Sequence, residues 1–257
     1  MTERLLISEQ YGLTAPGLIM SATEIRNNAN DVRLPLWAKS VFDAFQHDLL
    51  SKERLFPCIF GVEALRKDNL RFVFLEDPYD QESLNTLKHA LIEYTGMYRS
   101  LGRMTSFVAI FKPQATIKTV AEYQQDFWHV LQFLHEHDPA PWPGDIPADP
   151  QEVLWEFCFN QEPIFVVCNT PAHTSRRSRR SKSFMITFQP RWVFEGLGDT
   201  PKGENARRTI RARLTNYDTV APYPALGAYG DPNNNEWKQY FLPDSNDQAP
   251  TECPFRH

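Results

Sequence analysis

Residues 152–197 read EVLWEFCFNQEPIFVVCNTPAHTSRRSRRSKSFMITFQPRWVFEGL. Two apolar runs, 154–159 and 164–168, lead into a short loop, and a third run, 184–188, follows it. Short continuous apolar runs bounded by turn residues predict buried strands. The loop between them carries one histidine, His173, and then Arg176, Arg177, Arg179, Arg180 and Lys182. A lone histidine and a guanidinium cluster held between buried strands suit a ligand that is both apolar and anionic. Haem b is such a ligand, a flat macrocycle with an iron and two propionates.

Outward from this block, the chain alternates helical and strand patterns. The spacing of Trp37, Val41, Phe42, Phe45 and Leu49 predicts a helix over 34–50, and Leu84, Leu87 and Leu91 predict one over 83–94. Thr119 and Glu122 form a capping box ahead of a stripe through Val120, Tyr123, Phe127, Leu131 and Leu134, so 119–137 is a helix. A basic helix is expected over 205–217. Strands are expected at 70–75 and 106–111, and 55–62 is a short apolar segment punctuated by Pro57 and Gly61. Residues 139–150 hold five prolines in twelve positions, which predicts an ordered loop or lid. There is no regular βαβ rhythm. The expected fold is therefore a single mixed α/β (α+β) domain over 1–257, a mixed sheet flanked by helices. Residues 1–30 would form an N-terminal arm and 218–257 a long irregular tail packed on the body.

The 257 residues are 42% apolar, enough for a core, and carry a net charge of −5. Between residues 173 and 213, eleven Lys/Arg face three Asp/Glu, a net of +8 that leaves −13 on the rest. That asymmetry argues for a local anion site and against general affinity for nucleic acid, although RRSRR at 176–180 could bind phosphates. No signal pattern or membrane-length apolar run is present, and the four cysteines form no CxxC pair. A cytoplasmic protein with reduced thiols is expected. GxGxxG, P-loop, GxSxG and HExxH motifs are absent.

His173 can ligate iron through neutral imidazole, with His135, on the apolar side of its helix, as the alternative. Cys158 and Cys168, on apolar strands, could supply a thiolate instead, and Cys158 shares a strand face with Glu156. Arginine grips carboxylates bidentately, which suits propionates. Glu156, Asp138 and Asp145 are carboxylates that could hold a cationic substrate.

Four stretches then carry a family resemblance: FPCIFGVEALRKDNLRFVFLE (56–76), EYQQDFWHVLQFLHEHDPAPWPGDIP (122–147), WEFCFNQEPIFVVCNTPAHTSRRSRRSKSFMITFQPRWVFE (155–195) and EWKQYFLPD (236–244). From about residue 55 to 244 the chain resembles the YqcI/YcgG-like family. In particular it is similar to that family's haem-dependent guanidino N-hydroxylases of guanitoxin and cycloserine biosynthesis. The resemblance implies a haem monooxygenase acting on a guanidine or amine nitrogen of an arginine-like small molecule, using dioxygen and an external electron donor. It places the motif histidine on His173 and motif arginines on Arg176 and Arg179. On this reading His173 is the axial ligand and Arg176, Arg179 and Arg180 hold the propionates. Trp155, Phe157, Phe188 and Trp192 line the macrocycle, loop 139–150 closes over it, and Glu156 or Asp145 anchors the substrate. A homodimer is among the expectations. The competing reading is a non-catalytic haem or anion carrier or sensor.

Overall fold

All six residues of Ser106–Phe111 are buried, because helices cover both faces of the sheet in which they lie. The computed structural model describes residues 17–28, 30–196, 200–227, 231, 234–247 and 251–257. Among these, the elements run β1 (Met20–Ser21), α1 (Ala22–Asn27), α2 (Ala38–Leu50), α3 (Ile59–Arg66), β2 (Leu70–Leu75), α4 (Gln81–Leu101), β3 (Ser106–Phe111), α5 (Val120–Glu136), β4 (Cys158–Phe159), β5 (Glu162–Asn169), β6 (Met185–Pro190) and α6 (Pro201–Tyr217).

The strands form one mixed sheet in the order β1-β2-β3-β6-β5-β4. β2 and β3 are parallel, and α4 makes the crossover that parallel neighbours require. All other pairs are antiparallel. Side chains alternate along each strand. Phe107, Ala109 and Phe111 of β3 therefore join Ile186, Phe188, Ile164 and Val166 in the core beneath α4 and α5. Val108, Ile110 and Met185 face the opposite way, toward α1, α2 and α3.

The mixed α/β single-domain expectation stands, with several local differences. Pro57 and Gly61 mark a helix start rather than a break. Cys58 is the N-cap of α3, and the Gly61 amide donates to its Sγ at 3.3 Å. α4 runs on to Leu101 because Tyr94 and Tyr98 continue its buried face. It stops at Gly102, whose φ of +113° favours glycine. Of the run at 154–159 only Cys158–Phe159 pairs, in a tight hairpin with Asn160 and Gln161 both at positive φ, 52° and 63°. Within the expected arm, residues 1–16 lie outside the described residues. Met20–Ser21 adds an edge strand, and a Ser21–Glu24 capping box starts α1. Among its described residues the tail is irregular apart from a 3₁₀ turn at Glu236–Gln239, and it buries Trp237, Tyr240, Phe241 and Phe255 in the α4/α5 core. No helix among the described residues is long and apolar enough to cross a membrane.

Phe107 is fully buried at the centre of β3. Phe107→Ala should cost about 3–5 kcal/mol of unfolding free energy, read by urea denaturation.

Candidate functional site

On the α2/α3 side of the sheet, side chains fill only part of the space. A cavity of about 690 Å³ lies there, within the ~300–1,000 Å³ range of small-molecule sites. Its floor is the alternate set of strand residues: Val108 of β3, Thr187 and Gln189 of β6, Phe165 and Val167 of β5. Val41, Phe45 and Leu49 of α2 form one wall, and Ala206, Ile210 and Leu214 of α6 close over it. Arg176, Arg179 and Arg180 line one region, and Arg191 and Glu236 another.

One cysteine, Cys58, lines the cavity. It is half-buried at the start of α3, where its sulfur accepts the Gly61 amide. Burial pushes the Cys58 thiol up, while the amides of Gly61 and Phe60 and the Arg179 guanidinium pull it down. Apolar strand patterning points to Cys158 and Cys168 and not to Cys58. The available signal was a Pro-Cys pair three residues ahead of a glycine, at the N-terminus of a helix.

The arginine cluster divides its work. Arg176 is buried; its Nε donates to the Pro243 carbonyl at 2.6 Å and its Nη2 to Asn246 Oδ1 at 2.7 Å. Arg179 reaches the Gln239 carbonyl through Nη2, while its buried Nε has no hydrogen-bond partner among the described residues. Burial, with Arg176 beside it, pulls Arg179 down to about 10, so it remains a cation at neutral pH. Arg180 is exposed on the rim.

His173 is not placed as an iron ligand. It is absent from the cavity wall, and both ring nitrogens are engaged. Nε2 lies 2.8 Å from the Leu242 carbonyl and Nδ1 2.8 Å from Thr170 Oγ1. A carbonyl only accepts, so Nε2 carries the proton and Nδ1 accepts from the Thr170 hydroxyl. Next to it, Asp244 accepts the amides of Thr174, Ser175 and Arg176 at 3.0, 2.9 and 2.8 Å. His173 and Asp244 together latch the tail to the loop. The alternative, His135, also lies off the cavity, packed among Trp142, Phe255 and His257.

Strand alternation also displaces the expected macrocycle contacts. Trp155, Phe157 and Phe188 belong to the α4/α5 core, and Cys168 points the same way. Trp192 sits under Arg103, whose guanidinium lies 4.5 Å from its ring, and against Tyr98. Cys158 is buried off the cavity. The proline-rich loop does not close the site; its Trp142 stacks on Trp155, and α6 provides the cover. Asp145 is exposed in that loop, and Asp138 accepts the Asn160 amide. Glu156 is buried behind the cavity wall, accepting from Arg191 Nε at 2.6 Å. The carboxylates on the wall are Asp48, Glu195 and Glu236, none of which sequence patterning singled out; of these only Glu236 is buried.

The YqcI/YcgG family model matches residues 45–256. The chain belongs to the YqcI/YcgG family. It is 44% identical to the uncharacterized protein YqcI of Bacillus subtilis (strain 168), over 86% of this chain and 89% of that protein. It is 42% identical to the uncharacterized protein YcgG of the same strain, over 87% and 90%. It is 36% identical, over 83% of each chain, to DcsA of Streptomyces lavendulae, which is named as a candidate N(omega)-hydroxy-L-arginine synthase. No solved structure matches the chain.

Among the described residues no cluster of three or more His, Cys, Asp or Glu is placed to hold a metal ion. Haem needs only one protein ligand, together with apolar walls and cations for its propionates. The cavity offers Cys58, an apolar floor, and Arg176, Arg179 and Arg180, with the orphaned Arg179 Nε among the donors. These residues fit the group.

His173 is pulled down from 6.5 to about 4 by burial. The fold therefore holds it neutral while the unfolded chain binds a proton between those values. Stability should rise as pH goes from about 4 to 6.5 and level off above, by at most about 1.4 kcal/mol per pH unit from this residue. Urea unfolding across that range should show the rise, and His173→Gln should flatten it.

Proposed function

We propose that the chain is a haem-dependent N-hydroxylase acting on the guanidine of an arginine-like small molecule. The observation that carries this reading is the enclosure of Cys58 and three arginines around one apolar cavity, in a chain similar to DcsA. Cys58 would hold the iron through its sulfur. Arg176, Arg179 and Arg180 hold the propionates. When bound, haem b supplies dioxygen activation, with electrons from an external donor.

The chain's own residues bind, orient and exclude water. Burial holds the Cys58 thiol above its usual range, and the start of α3 presents two amides to the sulfur that offset part of that rise. Phe165, Val167 and Val108 give the macrocycle a flat apolar floor, while Thr187 and Gln189 add polar groups on the same face. α6 covers the cavity and keeps water from the reacting centre.

An absorption spectrum of protein expressed with haem precursor tests this. An intense Soret band is expected, with the red-shifted reduced carbon-monoxide band of thiolate ligation. Cys58→Ala should abolish that red-shifted band, whereas Cys158→Ala and His173→Gln should keep it. Absence of a Soret band after reconstitution would sink the haem reading, and an unchanged spectrum in Cys58→Ala would sink the ligand assignment. Oxygen consumption that depends on arginine, with a product one oxygen heavier, separates an enzyme from a carrier.

A further inference from the structure

Glu236 stands on the cavity wall, only 4% exposed, at the start of the 3₁₀ turn Glu236–Gln239. Its Oε2 pairs with Arg191 Nη2, and its Oε1 accepts from the Tyr240 hydroxyl at 3.0 Å. Arg191 is held from its other side by Glu156. Burial works against charge on Arg191, yet the carboxylates of Glu236 and Glu156 hold its pKa above the ordinary value. Burial pushes Glu236 up, with Arg191 opposing. A carboxylate oxygen has two acceptor sites. Among the described residues each Glu236 oxygen receives one donor, so each retains acceptor capacity.

Position separates this carboxylate from Arg180, while Arg179 comes no nearer than the Gln239 carbonyl at the far end of the same 3₁₀ turn. Arg191 follows Pro190, which pairs with Ile164 at one end of β5 and β6. Arg180 bridges Thr170 at the other end. Six residue steps of strand separate the two ends, roughly 20 Å. Glu156 and Glu236 both bear on the one guanidinium of Arg191, so negative charge exceeds positive within this buried group, and a second cation at the cavity would offset it. A guanidinium is the cation whose planar fork matches a carboxylate. Gln189, on the floor in the same row as Ser106, adds a neutral polar group nearby.

We propose that Glu236 is the specificity-determining residue of this site: its carboxylate receives the substrate's guanidinium, with Arg191 and Tyr240 as positioning residues that fix its orientation. This assignment rests on the N-hydroxylase reading and goes beyond it by naming the group that tells a guanidine from its neutral isostere.

The test is calorimetric titration of protein from haem-supplemented cells with L-arginine and with L-citrulline, which replaces the guanidinium by a neutral urea. Wild type should prefer arginine. Glu236→Gln should weaken arginine roughly 10- to 100-fold and leave citrulline nearly unchanged, the size of a lost charge-assisted bond. Glu236→Asp, which keeps the charge, should retain part of the preference and covers the case in which the glutamine variant does not fold. Glu53→Gln removes an exposed carboxylate off the cavity wall and should keep the preference. An unchanged preference in Glu236→Gln, or equal losses for both ligands, overturns the assignment and leaves the N-hydroxylase reading intact. Wild type that binds neither ligand overturns both.

Discussion

Side chains leave a strand on alternate faces, and in β3, β5 and β6 that rule serves a packed core on one side and a cavity on the other. Phe107, Phe188 and Val166 fill the space beneath α4 and α5. Their immediate neighbours Val108, Thr187 and Val167 form the floor of the cavity. A slip of one residue in any of these pairings would exchange the two sets, putting phenylalanines into the cavity and Thr187 and Gln189 into the core. The parallel β2–β3 pair and the antiparallel β3–β6 and β5–β6 pairs hold that register along most of their lengths.

The cavity also depends on a latch formed far along the chain. The loop at 170–180 and the tail at 236–246 hold each other through His173, Arg176 and Asp244. These bonds satisfy buried backbone groups that would otherwise be stranded. They also bring Glu236 and Gln239 to the cavity wall beside Arg179. The histidine and one arginine that look most like cofactor equipment thus do structural work, and Arg176 does it while lining the site.

Much of the architecture was legible. Strands at 70–75 and 106–111, the capped helix after Thr119 and the basic helix ending at Tyr217 follow from periodicity and capping. The start of α3 was obscured because Pro57 and Gly61 read as breakers when they flank an N-cap. The site was legible only in part. The arginines stand out as a charge run, and Arg176, Arg179 and Arg180 do meet at one cavity. Cys58 and Glu236 carry no such contrast with their neighbours.

The sequence by itself determined most of the helices and strands, that the core is apolar and shared by a mixed sheet, and that cationic charge gathers after β5. Those properties are local: they depend on spacing and composition within a dozen residues. Tertiary structure decided which face of each strand meets a cavity, which polar groups spend their hydrogen bonds on the fold, and which residues distant in sequence share a wall. Cys58, Arg179 and Glu236 come from three separate parts of the chain. Only sheet register and the docking of the tail bring them together, and neither can be read from local spacing.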